Sequence, residues 1–510
     1  MIISLSVLVI TIIVSGTYAL YKAQLSKNIG VNTTTHGLAY YINYVKGTDI
    51  TAATLNPSTS YEGGASSDIE FWKKDDSYDI YGKIELTVNT IGTNLSNSPA
   101  LKYAVVNNGN VLKEGSLKGT TSGSKVTILK NLYLEQTKQI YTVYVWLDNS
   151  EELGNISNES LSISVDCTAS LQKEPTAADT IISLYTSAAK VTATNNSITY
   201  NTAPSVSLMN DRLGGTTTDL DGGNIRYYGA NPNNYIYFNC SDYSNQTSST
   251  CETWRIIGVF DGKLKLIRGS QIGTYSWDNK NISTGAEDDR GKNDWTTARL
   301  MKLLNPDDYY INDNNDKDSE GNYLGYSLYY NSASGMCFTD EGVNYSACDF
   351  TSTGIKNDET RNMIAETTYN LGGWNDTGVY PNEIYEYERG TTVYTGRPTT
   401  WTGKIALAYP SDYGYAADLN QCKQTLANYD NSTCTSNNWM KAIITDNGSN
   451  HGWLLTPDSS YSFGAWYSHG NVGEYFTGAA RGAVPVLSLS SKLGIESGDG
   501  SSSNPYKLSA

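Results

Sequence analysis

Histidine is nearly missing from this chain: His36, His451 and His469 are the only three in 510 residues. With so few, and with no HExxH pattern, zinc-hydrolase chemistry lacks its ligands. No GxSxG elbow, Walker loop or glycine-rich dinucleotide fingerprint occurs, which removes the usual signatures of hydrolases, nucleotidases and oxidoreductases. Basic charge is short as well. Thirty-six Lys and Arg stand against 52 Asp and Glu, a net charge of -16. A chain so acidic, with no basic patch to neutralise phosphates, is not built for nucleic acid. No CxxC pair is present, so the seven cysteines do not follow zinc-site spacing. No charged side chain precedes Lys22.

Six of the seven cysteines fall into three local pairs: Cys240 and Cys251, Cys337 and Cys348, Cys422 and Cys434. Each pair brackets a polar loop of nearly equal length. A bridge across such a loop removes roughly 3 kcal/mol of unfolded-state freedom. Bridges of this kind persist outside the reducing cytosol, so the spacing predicts three disulfides and an exported protein. Cys167 is left over and follows Leu161, Ile163 and Val165 at strand period, as a small apolar residue on a buried face does. The N-terminus agrees with export. Met1 to Val14 is apolar but short for a membrane span. Thr17-Tyr18-Ala19 has the small-x-small form of a signal cleavage site. Residues 1–21 are therefore read as a signal peptide or a retained membrane anchor, and localisation as extracellular, secreted or tethered to the cell surface.

Charged residues make up 17% of the chain, while Tyr reaches 40 and Gly 46. That composition keeps its aromatic and β-branched residues and is not a disordered one. It suits an extracellular β-rich protein, and Tyr-rich polar surfaces suit binding. Residues 22–167 read as a β-sandwich domain. Tyr78, Ile80, Ile84, Leu86 and Val88 share one parity, and Ile140 to Leu147 is apolar on both, as a central strand is. Turn signals at Asn107-Asn108-Gly109, Gly119 and Gly123 separate the runs. Residues 168–203 have linker composition around a short helix, Ile181 to Tyr185. Residues 204–510 mix strands with helices expected over Trp295 to Leu304, Glu359 to Leu371 and Asn438 to Thr445. Asp261-Gly262 predicts a tight hairpin between Trp254 and Arg268, and the chain is expected to close with strands Ala483 to Leu489 and Pro505 to Leu508. The fold class is thus mainly β with an α+β C-terminal part.

Two resemblances sharpen this. Gly16-Thr17-Tyr18-Ala19 followed by a strand-rich domain looks like the TasA/camelysin group of Gram-positive surface proteins, which implies a jelly-roll-like sandwich and, in some members, biofilm fibres. Here Leu20 stands where that group usually has an aromatic residue. In the second domain, four segments together resemble the C-type-lectin-like fold: Trp254-Arg255-Ile256-Ile257, the helix with Leu300, Leu303 and Leu304, His451 to Pro457, and Arg481 to Leu487. The last two segments are similar to the closing strands of formylglycine-generating enzymes and of retroelement-diversified ligand-binding proteins. Those enzymes work through cysteines near the C-terminus, and none occurs here after Cys434.

The candidate ligand-binding face is Asp458, Ser460, Tyr461, Phe463, Tyr467, His469, Asn471, Tyr475 and Phe476, a run of aromatic anchors among small polar residues. The alternative is an irregular strand-loop-strand whose aromatics simply pack. Asp316, Asp318 and Glu320, with Gly321, resemble the start of a calcium loop, but Ser327 replaces the bidentate twelfth ligand; a solvated acidic loop is the other reading. Trp374-Asn375-Asp376 spells a calcium tripeptide of sugar-binding C-type lectins, yet Tyr380-Pro381-Asn382 follows it where the lectin element precedes. The expectation is an adhesin-like surface protein that binds a protein or glycan without catalysis or a cofactor, calcium at most ordering a loop. A fibre or matrix subunit is one alternative. A carbohydrate-active enzyme, needing only two carboxylates, is another.

Overall fold

The computed structural model describes residues 23–25, 41–51, 55–151, 153–156, 159–215, 222–279, 285–286, 289–306, 327–331, 336–338, 345–347, 349–445 and 451–509. It divides into two compact units, 1–174 and 175–510. The expected signal or anchor at 1–21, Cys348 of the third cysteine pair, and the acidic group Asp316, Asp318 and Glu320 lie outside what it describes. Among the described residues, no helix is long and apolar enough to cross a membrane.

In the first unit, alternation makes the strands. Across Tyr81–Ile91, Gly82, Ile84, Leu86 and Val88 are buried while Tyr81, Lys83, Glu85 and Thr87 are only partly so. Tyr78, expected on the buried side, precedes this strand and is 45% exposed. One sheet runs Ala23–Leu25, Leu161–Ser170, Tyr81–Ile91, Lys125–Tyr133, with Ile50–Thr51 also on the second of these. The other runs Ile42–Val45, Ala65–Lys73, Ile140–Asp148, Leu101–Asn107, Asn110–Ser116. Ile140–Asp148 is central, with antiparallel neighbours on both sides. Asn108 and Gly109 take φ of 50° and 77° at the 101–107/110–116 hairpin, the left-handed pair such a turn requires. Ile69, Phe71, Val143 and Val145 from one sheet and Ile84, Leu86, Ile163, Val165 and Cys167 from the other share one core. Cys167 is a free, buried thiol, and burial pushes its pKa well up.

The second unit starts earlier than its composition suggested. Residues 168–170 finish a strand of the first unit, and Ala177–Ser187 is a helix capped reciprocally by Thr176 and Asp179. It buries Ala177, Ala178, Ile181 and Tyr185 in the core with Trp254 and Leu264. Val191–Asn195 and Ile198–Ala203 pair as a hairpin around Asn196 and Ser197, both at positive φ. The Thr- and Asn-rich stretch read as linker is therefore a polar edge hairpin. Its sheet continues through Leu208–Asn210, Ile225–Tyr227, Glu252–Phe260, Lys263–Arg268, Val486–Ser488 and Ile405–Ala406, with Tyr235–Phe238 also on Glu252–Phe260. Asp261 and Gly262 make the expected turn, at φ 49° and 71°.

Helices are shorter than the sequence suggested. Regular helix covers Arg299–Leu304, Asp358–Met363 and Lys441–Thr445. Thr367–Asn370 is a strand on Thr400–Gly403, because Thr-Thr-Tyr favours the pleated surface over a helix turn. The closing strand is interrupted: Ala480–Gly482 and Val486–Ser488 flank Pro485, whose missing N–H cannot serve a ladder. Lys507–Ser509 ends the chain on Gly494–Ser497. Two of the three expected disulfides are described, Cys240–Cys251 and Cys422–Cys434, and they fit an extracellular protein.

At the centre of this unit four charges meet away from water. Arg226 Nε donates to Asp211 Oδ2 at 2.6 Å, and its Nη1 to Asp412 Oδ1 at 2.9 Å. Lys265 Nζ pairs with Asp412 Oδ2, which also accepts from the Tyr409 amide at 3.0 Å. Burial alone would raise the Asp412 pKa, but Lys265 and Arg226 outweigh it and hold the carboxyl below its ordinary value. Glu388 lies one helix away, accepting from the Ser411 amide at 2.9 Å and from its hydroxyl. Complete burial pushes Glu388 up to about 7.

Asp412→Asn leaves Arg226 and Lys265 buried beside a neutral group. It is expected to cost the second unit about 3–5 kcal/mol in chemical denaturation, with the first unit's transition unmoved. Glu388 makes a second expectation. Its folded pKa lies above its unfolded value, so the fold binds the extra proton and its contribution falls as pH rises from about 4.5 to about 7. Glu388→Gln should flatten that slope, by an amount on the order of 2 kcal/mol, read from melts at pH 5 and pH 8.

Candidate functional site

The segment expected to bind runs as a turn over 458–463 followed by two strands. Gly464–Ser468 and Val472–Phe476 form an antiparallel hairpin at the edge of a five-stranded sheet completed by Gly452–Pro457, Ala480–Gly482 and Thr274–Ser276. Its turn closes where the His469 amide donates to Asn471 O at 3.0 Å, with Gly470 at φ 114°. Strand alternation then sorts the side chains. Trp466 turns inward, fully buried, and its indole N–H reaches Trp374 O at 3.1 Å. Tyr467 turns the other way and lies across Gly473, where a Cβ would stand 3.0 Å from the ring. Glycine there lets the tyrosine lie flat.

Tyr467, His469 and Tyr475 gather on that outer face. Tyr467 and His469 stack at 5.5 Å with planes 17° apart, and Tyr467 meets Tyr475 edge-on at 6.2 Å. The sequence reading missed two members. His451 lies 5.1 Å from His469. The Arg481 guanidinium carbon is 4.0 Å from the Tyr467 ring and 4.4 Å from Tyr475. Arg481 is the only basic residue between His451 and Lys492; a lone arginine amid aromatics was the available signal. Burial, then the neighbouring His451, lowers the His469 pKa and so favours the neutral ring.

A second group forms at the base of the hairpin. Tyr461, 54% exposed, stacks on Phe463 at 5.6 Å, and the Arg290 guanidinium covers Phe463 at 3.9 Å. Ser460 Oγ accepts from Asn375 Nδ2 at 2.7 Å. Asp458 does not belong on a ligand-contacting surface: it is wholly buried, and its Oδ1 accepts from the Ser460 and Tyr461 amides to hold the turn. Asn471 is likewise committed, donating to Ala427 O at 3.1 Å. Phe476 lies against Tyr475 at 4.2 Å and packs on the core. Trp374 stacks on Tyr387 at 3.7 Å, a structural aromatic.

Asp458 Oδ2 is buried with no N–H or O–H donor among the described residues, and the Glu474 carboxyl lies against it. Partial burial, then the Asp458 and Asp376 carboxyls, push Glu474 up to about 8. A protonated Glu474 supplies the donor that Asp458 lacks. Among the described residues, no group of three or more His, Cys, Asp or Glu is placed to hold a metal ion. In a carboxyl-carbon NMR titration, Glu474 is expected to titrate near pH 8 and Asp458→Asn to bring it down; a midpoint near 4 in the native protein would contradict the shared proton.

No family model matches this chain, and no curated protein does. Among solved structures, a mutant form of HCR/D is similar at 11% identity and a TM-score of 0.15, over 53% of this chain and 76% of that one. The receptor-binding domain of botulinum neurotoxin mosaic serotype C/D gives 11% and 0.15, over 52% of this chain and 75% of that one. Likeness at that level carries no argument about fold or function.

Proposed function

We propose that this is an exported cell-surface binding protein of adhesin type, in which the two-sheet unit is a β-sandwich stalk and the second unit a C-type-lectin-like domain that meets a protein or glycan on another surface. The observation that carries the reading is the exposure of Tyr475 and His469 on the outside of one hairpin, with Tyr461 exposed in the segment just before it. Tyr461 and Tyr475 are 54% and 42% exposed, where most large aromatics of the unit are buried. Rigid rings flanked by Ser, Gly and Asn give contact area at small entropic cost. The reading needs no catalytic group, cofactor or nucleic acid. Residues 1–21 would direct export, by a cleaved signal or a retained anchor.

One observation favours the fibre reading instead. Asn110–Ser116 is an edge strand with Val111 and Leu112 exposed at 43% and 37%, a row open to pairing with another copy. The two readings separate experimentally. The full-length protein is applied to mammalian and bacterial cell surfaces and to a glycan array, and its self-association is followed by light scattering. Tyr461→Ala with Tyr475→Ala is expected to weaken surface binding about tenfold or more without changing the melting temperature. Binding unaffected by that pair, with assembly abolished by Val111→Lys, would overturn the adhesin reading in favour of the fibre.

A further inference from the structure

Arg481 is a buried cation of the second unit with an orphan donor. Its side chain is only 9% exposed, and its Nε–H is buried with no acceptor among the described residues. Its neighbours are rings: Tyr467 at 4.0 Å, Tyr475 at 4.4 Å and Trp453 at 5.5 Å from the guanidinium carbon. Ring faces return part of the lost hydration, but a planar guanidinium is fully satisfied by a carboxylate meeting two of its N–H groups at once. Arg226, another buried arginine of this unit, lies among rings at 4.5 and 4.7 Å and meets two carboxylates, Asp211 through Nε and Asp412 through Nη1. Arg255 lies over Tyr235 and Trp439 and donates to Asn234 Oδ1 and Pro232 O; Arg481 has the rings and, among the described residues, neither an acid nor another acceptor at Nε.

We propose that Arg481 anchors the carboxylate of an acidic sugar whose ring rests on the exposed faces of Tyr475 and His469. This rests on the binding-face reading above and names its ligand class. The sheet brings the parts together: Tyr467 opposes Gly473 in register, Gly452 meets Gly482, and Arg481 pairs with Tyr275. Arg481 and Tyr475 therefore come from separate strands of one sheet, and His469 from the turn of its hairpin. A sugar is favoured over an acidic peptide by charge. The protein carries -16, which repels a ligand with several carboxylates and tolerates one that brings a single carboxylate fixed to a ring. The C–H face of a pyranose suits an aromatic face, and its hydroxyls suit the Tyr475 hydroxyl and the imidazole edges. Asp430 is the acid that acts on His469; removing its charge should favour an anionic ligand.

The test uses the full-length protein in NMR titrations with methyl β-glucuronide, the methyl glycoside of N-acetylneuraminic acid, uncharged methyl β-glucoside and a triglutamate peptide. At least one acidic glycoside is expected to bind about tenfold or more tightly than the glucoside. Arg481→Gln should remove that preference, Tyr475→Ala should weaken the acidic glycoside several-fold, and Asp430→Asn should strengthen it. Because Arg481 is buried, its variant is checked by its melting temperature, and Tyr475→Ala, at an exposed ring, stands as the independent arm. Equal binding of glucoside and both acidic glycosides, or binding untouched by Arg481→Gln, would overturn the anchor while leaving the face intact. Preference for triglutamate would overturn the sugar assignment. Failure of the face itself would be read separately, as surface binding indifferent to the Tyr461 and Tyr475 replacements.

Discussion

Asp412 holds two cations in a place that water does not reach, and much of the second unit is arranged around it. Arg226 comes from one strand of the large sheet, Lys265 from another, and Asp412 from the short helix Pro410–Tyr415 that packs over them. Taking such groups out of water costs several kcal/mol each, and only close geometry offsets it. The geometry is close: a buried amide also serves Asp412, Asp211 takes the second face of Arg226, and aromatic rings cover the guanidinium. Hydrophobic contacts alone would let a short helix slide over the sheet. A carboxylate that must meet two fixed cations admits one position.

That fixed helix reaches the candidate site directly. Tyr413, the next residue, donates its hydroxyl to Gly470 O at 2.6 Å, in the turn of the binding hairpin. The segment just before the helix holds the next strand inward, the Leu455 amide donating to Ala408 O at 2.9 Å. The orientation of His469 and of the hairpin beyond it therefore depends on the buried charges, although none of them faces a ligand. Glu388 couples to the same helix through Ser411. Burial raises its pKa while the Ser411 hydrogen bonds favour its ionised form, so the pH dependence it brings comes from burying the charge.

The sequence disclosed features that depend on neighbours in the chain. Asp261-Gly262 specifies its hairpin because backbone conformation at two residues decides it. Ile140–Asp148 announces a central strand because both its faces are apolar. The paired cysteines imply bridges because short loops close readily. Features decided by distant contacts were not legible. The polar hairpin after Lys190 has the composition of a linker and becomes a sheet edge only because Leu208–Asn210 lies beside it. Residues 367–370 continue a plausible helix until Thr400–Gly403 offers a strand partner. Asp458 has the character of a surface carboxylate, and nothing local indicates that Asn293 donates to its carbonyl and encloses it. Arg481 was visible as part of a closing strand, but its burial among rings is a property of the assembled sheet.

Tyrosine content illustrates the same limit from the other side. Forty tyrosines suggest a broad adhesive surface, yet Tyr185, Tyr200, Tyr227, Tyr413, Tyr415 and Tyr429 are among the largest fully buried side chains. Several end on specific partners: Tyr409 on Asn370 O, Tyr413 on Gly470 O, Tyr429 on Gly414 O. A chain with 17% charged residues has few ion pairs with which to fix its long loops. Phenols offer an alternative, since each buries a large ring and directs one hydrogen bond to a chosen carbonyl. Tyrosine is thus first a loop-fixing residue here, and its abundance is no measure of binding surface. What distinguishes this region is that Tyr475, on the sheet, and Tyr461, in the segment before it, are left outside this scheme and exposed.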